Sequence, residues 1–301
     1  MITKSERRAG RTKKAAARPL QEHSPQATNG NETAPSTQEV LRRLYFLMLK
    51  CRKLSERAQP LAAGRDPAVD YDFVIGHEAI VVGATLELGQ QDTIASSSRN
   101  FAAHVVKGAR LEALLAKGHH ENGSQHCALT LLDPLNLGTG LALAHRLEKK
   151  RNVVVALCSR GDAASQDCWL EAMKFAGIHE LPIIYVLMSG PAFEPAPEKR
   201  NLALEELSFM ARDCGFPAII VDGKDAVAVW RVAQESIHRA RNGAGPTLVE
   251  CDTESSFASD PLAHLEHYMS KRGLWDDEWR RDAADRIDAE IAAAESVFGP
   301  K

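Results

Sequence analysis

Several features that would settle the class of this 301-residue chain at a glance are missing from it. There is no Cys-x-x-Cys pair; the six cysteines (Cys51, Cys127, Cys158, Cys168, Cys214 and Cys251) are scattered. That pattern speaks against a disulfide framework and suits buried thiols in a reducing cytoplasm. No apolar run approaches the roughly 20 residues that a membrane helix needs, and the amino terminus lacks the hydrophobic centre of a signal peptide. An excess of one charge is also missing. Against 40 Asp and Glu stand 37 Lys and Arg, a net charge of -3, which argues against nucleic acid as the main partner of the whole chain. The remaining totals, 44% hydrophobic and 26% charged residues, are those of a soluble globular protein able to bury one large core or two modest ones.

Residues 1–36 form a biased tail. Lys4, Arg7, Arg8, Arg11, Lys13, Lys14 and Arg18 make its first half basic, and Pro, Gln, Asn, Thr and Ser dominate the second. Such a segment buries too little apolar surface to offset its ordering entropy, so disorder is expected and the folded domain spans 37–301. A docking arm for an acidic surface and a merely solvated tail both satisfy this composition. Order begins at Ser36-Thr37-Gln38-Glu39, a Ser-x-x-Glu capping box. It opens a helix with Val40, Leu44, Leu47, Cys51 and Leu54 inside, Arg42, Arg43 and Arg52 outside, and Pro60 at its end.

The most informative stretch is Asn152 to Gly190. Two Val- and Ile-rich segments, Val153–Cys158 and Ile183–Met188, flank a run whose Trp169, Ala172, Met173 and Ala176 share one helical face. Strand, helix and strand over so short a span make a βαβ crossover, hence a parallel sheet. Ligands of such sheets sit beyond the carboxyl ends of the strands. Attention therefore falls on Ser159–Ala164 and Ser189–Ala192. A second unit follows: strand Ala218–Val221, turn Asp222-Gly223, a long helix to Arg241, a stop at Gly243–Pro246 and a strand to Glu250. His119, His120 and His126 have no Cys or carboxylate at matching ligand spacing, and the pair His264 and His267 has no third ligand, so all five read as loop and helix histidines. Arg160-Gly161-Asp162 matches the adhesion tripeptide by accident of composition.

These segments together resemble the alpha subunit of the thiamine-diphosphate-dependent 2-oxo acid dehydrogenases of the pyruvate and branched-chain types. Gly76-His77-Glu78-Ala79 through Gly83 matches the family's Gly-Gln-Glu-Ala-x-x-x-Gly. Arg99 matches the arginine of its Tyr-Arg-Asp, with Ser98 in place of the tyrosine, and Gly123-Ser124-Gln125-His126 resembles its Gly-Ser-Met-His. Ser165-Gln166, Glu171-Ala172 and Leu181-Pro182-Ile183-Ile184 also match, as does the run Cys214-Gly-Phe-Pro-Ala-Ile-Ile-Val-Asp-Gly-Lys-Asp225. The resemblance implies an α/β fold, a parallel sheet flanked by helices with a helical C-terminal extension. It also implies thiamine diphosphate and magnesium as cofactors, and a beta subunit and a lipoyl acyltransferase core as partners in a homo- or hetero-oligomer.

By the same resemblance, Arg99 stands where the diphosphate is gripped. Gly161 and Gly190 fall where the family has its magnesium-binding Asp and Asn, which leaves Asp162, one position late, and Ser189 as the remaining oxygen donors for cofactor and metal. The Gly-rich loop is compressed into Cys127–Leu132, and the loop with the catalytic His is absent after Cys251, so no catalytic residue is assigned. The family's activity is oxidative decarboxylation of a 2-oxo acid with acyl transfer to a lipoyl carrier. A catalytically inactive scaffold or regulatory subunit fits the same departures. The helices around Gly76–Gly83 and Gly138/Gly140 are expected to present small faces to another subunit.

Overall fold

A computed structural model describes residues 36–62, 75–97, 100–112, 127–130, 134–159, 166–189, 204–254, 256 and 260–297. In chain order the elements are α1 (Thr37–Ala62), α2 (Glu78–Thr85), β1 (Thr93–Ser97), α3 (Phe101–Val106), β2 (Cys127–Thr130), α4 (Pro134–Leu147), β3 (Val154–Ser159) and α5 (Gln166–Ile178). There follow β4 (Ile183–Ser189), α6 (Leu204–Asp213), β5 (Ala218–Asp222), α7 (Ala226–Arg241), β6 (Thr247–Asp252), α8 (Pro261–Lys271) and α9 (Asp277–Ser296).

The six strands form one parallel sheet in the order β2-β1-β3-β4-β6-β5. Successive side chains of the central strands enter two different cores. Val155, Leu157, Ile184, Val186 and Val249 face a core shared with α1, α2, α3, α7, α8 and α9. Val154, Ala156, Ile183, Tyr185 and Leu248 face a second core under α4, α5 and α6. Both faces are covered, so the strands read as unbroken apolar runs rather than as alternating ones. The expected parallel sheet between two helical layers, with a helical C-terminal extension, is what the chain forms.

Helix starts follow the local chemistry of the chain. The box at the head of α1 is closed in both directions: Ser36 N donates to Glu39 Oε2 at 2.6 Å, and Glu39 N donates to Ser36 Oγ at 3.3 Å. Asp225 caps α7 by accepting from Val227 N and Ala228 N, each at 3.0 Å, and Asp260 and Asp276 cap α8 and α9 in the same way. The C-terminal extension folds back on α1. Tyr45 Oη donates to Glu266 Oε1 at 2.6 Å, and its ring meets Trp275 edge-on with centroids 5.2 Å apart.

Four expectations need correction. Helix α1 continues two residues past Pro60, so the proline, whose cost is the loss of one hydrogen bond and a clash with the preceding turn, sits within the last turn rather than at its end. Arg52 does not point outward: it turns inward to a buried carboxylate, described below. Cys127–Thr130 is not loop but the edge strand β2, paired in register with Ile94–Ser97. Finally, the small faces are spent inside the chain. All eight residues of α2 are buried, and a Cβ on Gly83 would lie 3.0 Å from Val229 Cγ1 of α7; one on Gly138 would lie 2.9 Å from Ala156 Cβ of β3. Close approach is needed, but by the protein's own helix and sheet. Of the α4 pair, Gly140 alone faces open space.

Candidate active site at the carboxyl edge of the sheet

The strand order reverses between β1 and β3: β2 lies on one side of β1, while β3 and the later strands lie on the other. In an open parallel sheet such a reversal leaves a crevice beyond the carboxyl ends of the two strands. Ser98 and Arg99 follow β1 directly, and Arg160, Gly161 and Asp162 follow β3. Arg99, Gly161, Asp162 and Gly190 lie outside the described residues, so only Ser189 of the predicted site has a described environment.

Ser189 ends β4 opposite Asp252 of β6. It is buried, and its Oγ donates to the carbonyl of Cys251 at 3.2 Å. Its own carbonyl accepts from Thr253 N at 3.1 Å and from Thr253 Oγ1 at 2.9 Å. The pair acts as a clasp between the ends of β4 and β6. The two carboxylates at this edge are also turned to local work. Asp222 accepts from Lys224 N at 2.8 Å and from Ser256 Oγ at 3.1 Å, and Asp252 accepts from Glu254 N at 2.9 Å. Gly223 N donates to the Asp252 carbonyl at 2.7 Å, and a Cβ on Gly223 would meet Thr253 Cγ2 at 2.8 Å, so the loops after β5 and β6 lie against each other. Among the described residues no three His, Cys, Asp or Glu side chains gather as a cation site.

Sequence reasoning missed a charged network beside this edge. Glu78, at the start of α2, is fully buried, and Arg52 of α1 grips it through Nε to Oε1 and through Nη2 to Oε2 at 3.0 Å. Gly76, with φ +88°, donates its N–H to Glu78 Oε2 at 3.0 Å. Arg52 Nη2 also reaches Asp260 Oδ1 at 2.7 Å, tying the N-terminus of α8 to α1 and α2. The hydrogen bond to Glu78 raises the Arg52 pKa above its usual value. Burial works to raise the Asp260 pKa, but the Ala263 amide and Arg52 outweigh it and hold the carboxyl below its ordinary range. The available signal was a single carboxylate opening an otherwise apolar helix, Glu78-Ala-Ile-Val-Val-Gly-Ala-Thr85.

His77, at the N-cap of α2, stands beside the network where the family sequence has Gln. Burial lowers its pKa, and the positive charges of Lys224 and Arg52 lower it further, against a backbone hydrogen bond at Ile75. A histidine whose folded pKa lies below its unfolded value takes up its proton first in the unfolded chain. Its contribution to stability is therefore present above the unfolded value of 6.5 and is lost as pH falls through the folded pKa. We expect the difference in thermal midpoint between the native chain and His77→Gln to shift against the native chain between about pH 7 and pH 5. Parallel curves of midpoint against pH would remove His77 as a contributor.

A parallel sheet between two helical layers, with its site loops at a strand-order reversal, defines a cofactor-binding class of α/β protein. Residues 47–254, more than half of the chain, match the model of the family described as "Dehydrogenase E1 component". The chain belongs to that family. It is 31% identical over 245 residues to the alpha subunit of acetoin:2,6-dichlorophenolindophenol oxidoreductase of Bacillus subtilis (strain 168), covering 73% of this chain and 72% of the relative. It is 26% identical to the pyruvate dehydrogenase E1 component subunit alpha of Mycoplasma genitalium, covering 88% and 82%. With the 2-oxoisovalerate dehydrogenase subunit alpha of Bacillus subtilis it shares 28% identity, covering 89% and 93%. No helix among the described residues is long and apolar enough to cross a membrane.

Proposed function

We propose that the chain takes the alpha position in a thiamine-diphosphate-dependent 2-oxo acid dehydrogenase, paired with a beta subunit, and that its own cofactor ligands are degenerate. The alpha subunits among its relatives support the first part, since they match along most of their length. One observation carries the second. At the strand end where the family resemblance puts the cofactor, Ser189 is buried and its hydroxyl is given to the Cys251 carbonyl, while Gly161 and Gly190 offer no side-chain oxygen. Magnesium wants near-octahedral oxygen coordination, and two glycines bring no side-chain oxygen to it.

Under this reading the chain's residues still build the family's scaffold: Arg99 follows β1 as a grip for a diphosphate, and the clasp at Ser189 and Thr253 ties the ends of β4 and β6. Calorimetry of the purified chain with magnesium and thiamine diphosphate tests it. The expected result is no binding at micromolar concentration; micromolar affinity would mean that Asp162 and Ser189 work as ligands. A catalytically inactive scaffold or regulatory subunit is the second reading, favoured by the missing histidine loop after Cys251. It predicts a stable complex with a beta subunit that still does not turn over 2-oxo acid.

A further inference from the structure

The end of the sheet opposite the cofactor edge carries a cavity of about 430 Å³, where the loops leading into β3, β4 and β6 converge. Five cations, Arg146, Lys149, Lys150, Arg151 and Arg241, line it against a single carboxylate, Glu180. Three of the five are accounted for. Arg241 pairs with the buried Asp92, Arg146 lies 3.1 Å from Glu180, and Lys150 lies 2.6 Å from Glu148. The negative ends of α4 and α7 also favour Arg146 and Arg241 in their last turns. Lys149 and Arg151 are left over. Among the described residues the Lys149 ammonium has no ion-pair partner, and Arg151 meets only a neutral amide, Asn242 Oδ1, at 2.8 Å.

The backbone points to the same place. Helices α3, α4, α5, α6, α7 and α8 end in the paired closing bonds of a Schellman motif, each satisfying two carbonyls of the last turn within the chain. Four of them put glycine at the left-handed position: Gly108, Gly215, Gly243 and Gly273. The other two put Lys149 (φ 55°) and Glu180 (φ 46°) there, the only non-glycine residues with positive φ among those described. Both line this cavity. A side chain held where glycine fits without strain is a common mark of a functional position.

We propose that this cavity binds a small phosphorylated molecule bearing at least two negative charges, with Lys149 and Arg151 as the principal cations. Its volume falls in the range of small-molecule sites, and a planar guanidinium beside an ammonium suits phosphate oxygens. The site is separate from the cofactor edge, since it lies at the amino ends of the strands whose carboxyl ends carry Ser159 and Ser189.

The test uses the full chain and inorganic pyrophosphate, measured by calorimetry at fixed ionic strength with potassium chloride as the balancing salt. Submillimolar binding is expected. Combining Lys149→Gly with Arg151→Gln should weaken it at least tenfold, while Arg99→Gln, at the cofactor edge, should leave it intact. Lys149→Gly alone should hold or raise the thermal midpoint, since glycine adopts the left-handed conformation freely, so loss of binding would not reflect loss of fold. Three results would overturn the assignment: no pyrophosphate binding, undiminished binding by the double variant, or binding abolished by Arg99→Gln.

Discussion

Replacing Arg52 with methionine should destabilise the folded chain by about 3–5 kcal/mol, the usual cost of removing one partner from a buried ion pair. Glu78 has no exposed surface, whereas the Arg52 side chain keeps 15% of its own. The carboxylate therefore cannot turn to water when the guanidinium is lost. It would retain the Gly76 amide, and that single bond does not replace two to an arginine. The N-terminus of α8 would also lose its tie through Asp260. In a domain of this size the loss corresponds to a fall in the thermal midpoint of roughly 10 °C. A control separates the pair from its packing: Arg52→Met combined with Glu78→Met removes both charges and should recover much of the loss. If Arg52→Met alone melts within about 2 °C of the native chain, the network is not what holds α1, α2 and α8 together.

That network was hidden from the sequence for a physical reason. A hydropathy stripe at 3.6-residue spacing tells which residues face a core, and Val40, Leu44, Cys51 and Leu54 do so. It does not tell that Leu41, Tyr45 and Met48 widen the buried face until Arg52 lies at its border, nor that Glu78 waits there 26 residues later. The unit from β3 through α5 to β4 was legible, because its strands are buried on both faces and bounded by polar residues. The unit from β5 to β6 was legible through its turn and caps. β1 and β2 were not. Thr93-Ile-Ala-Ser-Ser97 has little of the branched apolar content that marks a strand, and Cys127–Thr130 is only four residues long. Both become strands by pairing in register beside β3, a tertiary effect that local sequence does not carry. Of the site itself, the sequence supplied candidates after three strand ends, and topology puts the first two at the reversal between β1 and β3.

The remaining large effect concerns cofactor affinity. On the proposed reading Gly161 and Gly190 each withhold one charge-assisted contact, worth about 1.5–3 kcal/mol. Two of them correspond to an affinity lowered roughly 10²- to 10⁴-fold. Gly161→Asp together with Gly190→Asn should return part of that affinity for magnesium and thiamine diphosphate, read by calorimetry as a gain of at least tenfold over the native chain. Turnover of a 2-oxo acid should not return with it. The loop after Cys251 carries no histidine, and Asp252 and Thr253, which begin it, are already committed to the turn and the clasp. The two readouts are thus expected to separate, with binding restored and catalysis not. Decarboxylation by the double variant without a beta subunit would show that the missing histidine loop is dispensable. Unchanged affinity would show that the cation ligands come from elsewhere, with Asp162 as the first residue to replace.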